Sequence, residues 1–197
     1  MVPMHILVTN DDGISSAGLA VLAQAALDRG HSVTVAAPAE EYSGASASLS
    51  GEEVDGRIAL VEAAPPNMPH GVECVGVKAA PALIAFLASY GAFGKRPDMV
   101  LSGVNLGANT GKATLHSGTV GAVLTAASHG IPGIAVSITS GAPQHWDTAL
   151  LVTRFALEHW EDRPFDEWIL NLNVPDVAPG RLRGLKPAHP VSYTHLR

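Results

Sequence analysis

A single cysteine, Cys74, stands in 197 residues. That excludes an intrachain disulfide framework and a cysteine-based zinc site, and Cys74 is expected as a small buried hydrophobe. Charged residues are scarce at 15%, and basic ones scarcer: 12 Lys and Arg face 18 Asp and Glu, a net charge of −6. Such a chain lacks the basic face that a nucleic-acid polymer demands. Single nucleotides stay open, because a metal ion can supply the local positive charge. No apolar run approaches the roughly 18 residues of a membrane helix, so no membrane partner is expected. Residues 1–9, MVPMHILVT, lack the charged start and long apolar stretch of a signal peptide. A soluble protein of a reducing compartment, the cytoplasm, is the expectation.

Several signatures are also missing. No GxGxxG follows the first predicted strand, and no GxxxxGK[ST] occurs, so neither a dinucleotide-binding turn nor a P-loop is expected. The nine histidines form no HExxH or HxH pattern and are read as ordinary surface or core residues. His116 is set apart, because it flanks a loop that could meet a substrate.

What is present is a core: 47% of residues are hydrophobic, far from the composition of a disordered chain, and the length suits one domain. His5 to Thr9 is a short apolar run ending in the turn Asn10-Asp11-Asp12-Gly13. Leu19, Leu22, Ala23, Ala26 and Leu27 recur at helical spacing, and Ser32 to Ala37 is a second strand ended by Pro38. Segments 57–62 and 72–75 are predicted as strands of a side hairpin, and 79–90 as a helix. Met99–Leu101 is a buried strand, followed by a Gly-rich loop over 102–118. Helices over 119–129 and 149–160 and strands over 133–138 and 168–173 complete the alternation. The fold class is therefore α/β: a three-layer α/β/α domain with a mostly parallel, Rossmann-like sheet. In such sheets ligands bind beyond the carboxyl ends of the strands. The polar segments 10–13, 38–48 and 102–119 lie there.

Asp11 and Asp12 would point to opposite faces of a regular strand, but beyond its end they can converge. Two converging carboxylates repel, and a hard divalent cation relieves the repulsion. Asn-Asp-Asp-Gly is also good turn chemistry by itself, so the pair alone decides nothing. The Ser43 hydroxyl and the Asn105 carbonyl are further oxygen donors on neighbouring loops. Ser117-Gly118-Thr119 opens a helix, and free N–H groups there suit a phosphate, although an ordinary N-cap would read the same way. Asn109 and Lys112 lie in the same loop.

Together these segments resemble the SurE family of metal-dependent 5′-nucleotidases. The resemblance runs through ILVTNDDGI at 6–14, SGAS at 43–46, SGVNLGANTG at 102–111, SGTVGA at 117–122, GIP at 130–132 and NLNVP at 171–175. It implies hydrolysis of nucleoside 5′-monophosphates, with 3′-nucleotides and short polyphosphate as open further substrates. It implies one divalent ion per subunit, Mg²⁺ or Mn²⁺, held by Asp11, Asp12, Ser43 and Asn105, the two aspartates being the catalytic pair. Asn10, Asn109, Ser117, Gly118 and Thr119 are the expected substrate and phosphate contacts. His116 departs from the family's usual Tyr, which bears on substrate choice. The family also implies a homodimer or homotetramer.

Two other classes compete. A non-catalytic nucleotide-binding module would share the pocket without turnover. A receiver-type signalling domain would share the acidic pair, but Ser102-Gly103 follows the strand PDMVL at 97–101, where a receiver needs its phosphoacceptor aspartate. The single domain is assigned to 1–189. The closing residues Val191 to Arg197 resemble translated adapter read-through, so 190–197 are expected to be foreign and the native C-terminal extension truncated.

Overall fold

Ile6, Leu7 and Val8 are all buried in β1 (His5–Thr9). A strand buried on both faces needs a cover on each side, and helices supply it here. α1 (Ala17–Leu27) begins at Ser16, whose hydroxyl accepts from the Gly18 N–H. β2 (Ser32–Pro38) returns parallel to β1. β3 (Glu53–Val54) and β4 (Arg57–Ile58) form a separate antiparallel pair. β5 (Leu60–Val61), β6 (Glu73–Val77), α2 (Pro81–Ser89) and β7 (Met99–Leu106) follow. A 3-10 helix, Gly111–His116, leads into α3 (Gly118–Ser128), β8 (Gly133–Ile138), α4 (Trp146–Trp160) and β9 (Ile169–Val174). The structure, a computed structural model, describes residues 2–160 and 169–189. Trp168 and the segment 190–197 lie outside the described residues.

The main sheet has seven strands in the order β5-β6-β2-β1-β7-β8-β9. Only the short β5 runs antiparallel to its neighbour. α1 and α4 pack on one face with Ile6, Val8, Leu101 and Val136. α2 and α3 pack on the other with Leu7, Val100 and Ala135. The predicted three-layer α/β/α architecture is therefore the observed one. The chain builds outward from β1 through β2 and β6, then crosses back to place β7 on the other side of β1. The strand order reverses between β1 and β7, and in open α/β sheets such a reversal is where ligands bind, beyond the carboxyl ends of the strands.

Two predicted elements are corrected. The strand around 72–75 is not confined to a side hairpin: β6 pairs antiparallel with β5 from the 57–62 segment, as expected, and also joins the main sheet along β2, with Cys74 opposite Val35 and Val77 opposite Pro38. A run of alternating residues does not announce its partner, and the buried end of β6, Gly76-Val77, selects the sheet. β7 also runs on to Leu106 through residues predicted as loop. Its register against β8 shifts between Ser102 and Asn105, and the Gly103–Val104 peptide is cis.

That irregular stretch of β7 is backed by α1. A Cβ on Gly18 would lie 2.6 Å from both the backbone N and O of Val104. Gly18→Ala should therefore destabilise the fold by about 1–3 kcal/mol through overpacking, read as a shift in the denaturant midpoint. An unchanged midpoint would mean that helix and strand separate freely.

Candidate active site

Asn10 shapes the turn after β1. Its Oδ1 accepts from the Gly13 N–H at 3.1 Å and its Nδ2 donates to the Gly13 carbonyl at 3.0 Å. Both ends of this buried amide are engaged with Gly13, so Asn10 serves the loop that carries the aspartates. Gly13 adopts a φ of +93°, and a Cβ there would lie 3.1 Å from the Glu40 backbone.

Asp11 is 7% exposed and points at the start of α3. Thr119 donates to it twice, from its backbone N–H to Oδ2 at 3.1 Å and from its hydroxyl to Oδ1 at 2.5 Å. The positive end of the helix dipole favours a carboxylate at this position. The approach is close: a Cβ on Gly118 would sit 2.9 Å from Asp11 Cβ and 3.0 Å from Oδ2. Ser117 caps the helix, its Oγ accepting from the Val120 N–H at 3.2 Å. Among the residues expected to meet phosphate, Thr119 thus has both donors committed to Asp11. The Ser117 hydroxyl proton and the Gly118 N–H are not used in these bonds.

Asp12 has no such support. Its Oδ2 is buried without a hydrogen-bond partner among the described residues. Burial, then the neighbouring Asp11 charge, push its carboxyl up to about 6, with Glu41 adding to the rise. A hydrogen bond from the Leu106 backbone opposes the shift and places Asp12 beside the end of β7. Asn105 sits in that end, its Nδ2 donating to the Gly107 carbonyl at 2.6 Å, which makes Oδ1 the atom suited to a cation. The Thr9 and Ser102 hydroxyls, register partners on β1 and β7, are also buried and unpartnered. Nothing in the sequence singled them out.

The loop carrying Ser43 is bonded to the Asp11 turn and to the residues before α3. The Tyr42 N–H donates to the Asp11 carbonyl at 2.8 Å, and Ser46 bonds to the Leu115 and His116 carbonyls. Ser43 is exposed and donates to a Glu41 carboxylate oxygen, which leaves the lone pairs of its own oxygen for a cation. A Cβ on Gly121 would lie 2.2 Å from the Ser46 carbonyl oxygen, so the loop lies directly on α3. His116 and Lys112 are exposed beside it. Among the described residues no three His, Cys, Asp or Glu side chains gather as a metal cage. A hard-cation site here depends on two carboxylates plus neutral oxygens, and an orphaned buried carboxylate oxygen next to a second carboxylate fits that requirement.

Asn109 is buried within a network that sequence reasoning missed. Its N–H donates to Asn173 Oδ1 at 2.8 Å, and its carbonyl accepts from Asn171 and Asn173 at 2.9 and 3.1 Å. Its Nδ2 donates to Ser137 Oγ at 2.9 Å. The signal was the alternation Asn-Leu-Asn at 171–173, which puts two amides on one face at the end of an edge strand.

The family model described as Survival protein SurE matches residues 6–195. The chain belongs to the SurE family. A protein named 5′-nucleotidase SurE from Methylococcus capsulatus (strain ATCC 33009 / NCIMB 11132 / Bath) is 38% identical over 190 residues, covering 93% of this chain and 69% of the relative. One of the same name from Laribacter hongkongensis (strain HLHK9) is 40% identical over 182 residues, covering 92% of this chain and 69% of its own length. The crystal structure of the SurE protein from Aquifex aeolicus matches with a TM-score of 0.80 at 27% identity, covering 95% of this chain and 73% of that one.

The unpartnered Oδ2 of Asp12 accompanies a pH dependence expected of the protein without bound metal. Its folded-state value lies above the ordinary 3.8 of an unfolded aspartate. The native state therefore binds the extra proton, and this group's contribution to stability is lost as pH rises through about 6. Asp12→Asn should raise the thermal midpoint in EDTA at pH 7.5 and leave it unchanged near pH 3.5. A lower midpoint at pH 7.5 would show that the carboxylate is well supported without a cation.

Proposed function

We propose that this chain is a divalent-metal-dependent 5′-nucleotidase, cleaving nucleoside 5′-monophosphates with water to nucleoside and phosphate. The observation that carries the reading is the asymmetric carboxylate pair. Asp11 is anchored to α3, Asp12 Oδ2 is buried and unpaired, and both lie at the reversal of strand order. The names of the relatives supply the substrate class.

Asp11 and Asp12 hold one Mg²⁺ or Mn²⁺, with Ser43 and Asn105 as neutral oxygen ligands. When bound, such an ion polarises a phosphoryl oxygen and lowers the pKa of a coordinated water. The chain's own donors hold the phosphate. The Gly118 N–H, the Ser117 hydroxyl and the second Nδ2 hydrogen of Asn109 offer directed hydrogen bonds to equatorial oxygens whose charge must be offset in the transition state. Thr119 acts one step back, by fixing Asp11. His116, exposed beside the cap residue Ser117, is the residue assigned a bearing on nucleotide preference. The same reading carries the family's cytoplasmic operation and assembly of two or four copies.

Incubation with AMP and Mn²⁺ should release phosphate, and EDTA should abolish the release. Asp11→Asn and Asp12→Asn should each reduce it to background. Full activity in both variants would remove the pair from the mechanism. Binding of AMP without release would favour a nucleotide-binding module, and labelling by acetyl phosphate would favour a receiver. A panel including 3′-AMP and short polyphosphate at fixed metal defines the substrate range.

A further inference from the structure

From the bonding around Asn109 we infer that Asn173, with Asn171 and Ser137, is a positioning residue for phosphate recognition. The inference rests on the reading above that Asn109 donates to the substrate phosphate. The Gly-rich segment between β7 and α3 has little regular structure of its own before Gly111, and a donor on such a segment is useful only if the backbone is fixed. Asn173 fixes it at two points. Its primary amide accepts from the Asn109 N–H and donates to the Asn109 carbonyl, bonding the backbone as a neighbouring strand would. Asn171 donates to the same carbonyl, so both lone pairs of that oxygen are engaged.

The side chain is set separately. Ser137 Oγ takes one hydrogen of Asn109 Nδ2 at 2.9 Å. A primary amide nitrogen carries two hydrogens in one plane, so the bond to Ser137 also fixes the direction of the second. Ser137 is fully buried in β8 and lies in register with Asn105 on β7 and Asn173 on β9. One row across three strands thus links a cation-ligand candidate to the clamp on the phosphate donor. Asn173 is exposed on the edge strand, so its truncation opens no cavity in the core.

The test is a cycle of Asn173→Ala, Ser137→Ala and Asn109→Ala, with AMP kinetics and calorimetric titration of inorganic phosphate onto the Mn²⁺-loaded enzyme. A donor displaced by about 1 Å costs up to about 100-fold. Asn173→Ala should therefore raise KM and the phosphate Kd together by roughly 10-fold or more, with a smaller change in kcat. Ser137→Ala, which deletes one oxygen, should act in the same direction. The double variant Asn109→Ala/Asn173→Ala should be no worse than Asn109→Ala, because both act through one contact. If Asn109→Ala weakens phosphate binding while Asn173→Ala and Ser137→Ala only lower the thermal midpoint, the clamp is structural and the inference fails. Losses that multiply in the double variant would also overturn it. If Asn109→Ala itself leaves phosphate binding unchanged, the reading of Asn109 as a phosphate donor fails first.

Discussion

The contact between Asp11 and Thr119 joins residues 108 positions apart, and the rest of the site depends on it. It ties the turn after the central strand to the first turn of α3. It also answers the electrostatic problem of a buried carboxylate with two donors and a helix dipole. The requirement reaches back into sequence: only a residue without a side chain at 118 lets the helix start this close to Asp11. Gly121 does the same one turn later for the loop that carries Ser43. The helix is thus a platform against which two loops from different strands are seated.

Because Asp11 takes this support, Asp12 is left without it. The pair is therefore unequal, one carboxylate satisfied by protein and one waiting for a counter-charge. This matters in a chain that is acidic overall, with a net charge of −6, and whose proposed substrate carries a phosphate. Two carboxylates would repel that anion. In the proposed reading, a divalent ion held by the pair would change the sign of the local field and leave the remaining helix and amide donors free to act on phosphate oxygens. The orphaned oxygen of Asp12 is a local instability of the kind that functional sites retain.

Much of this was legible in the sequence because short apolar runs alternating with helical stripes leave few topologies open. The end of β1, the cap at Ser117 and the glycine-rich loop after Leu101 could all be placed beyond the carboxyl ends of the strands. The pairing of β6 with β2 could not, since its five residues do not announce a second partner in the main sheet. Nor could the extension of β7 to Leu106, whose glycine and register shift disguise a strand as a loop. At the site, residue types were readable but their allegiances were not. Asn10 and Thr119 look like ligand donors in one dimension, yet each is bonded to the protein in three. Asn171 and Asn173 look like ordinary strand residues and prove to hold Asn109. Hydrogen-bond partners far apart in sequence are the information that periodicity does not carry.

The central claim is that one divalent ion sits between the unequal carboxylates. Anomalous diffraction from crystals grown with Mn²⁺ tests it most directly. The account predicts a single manganese peak per chain, in contact with Asp11 and with Asp12 Oδ2 and on the side of Asn105. Well-ordered crystals with no peak there, or with manganese bound elsewhere in the chain, would contradict it.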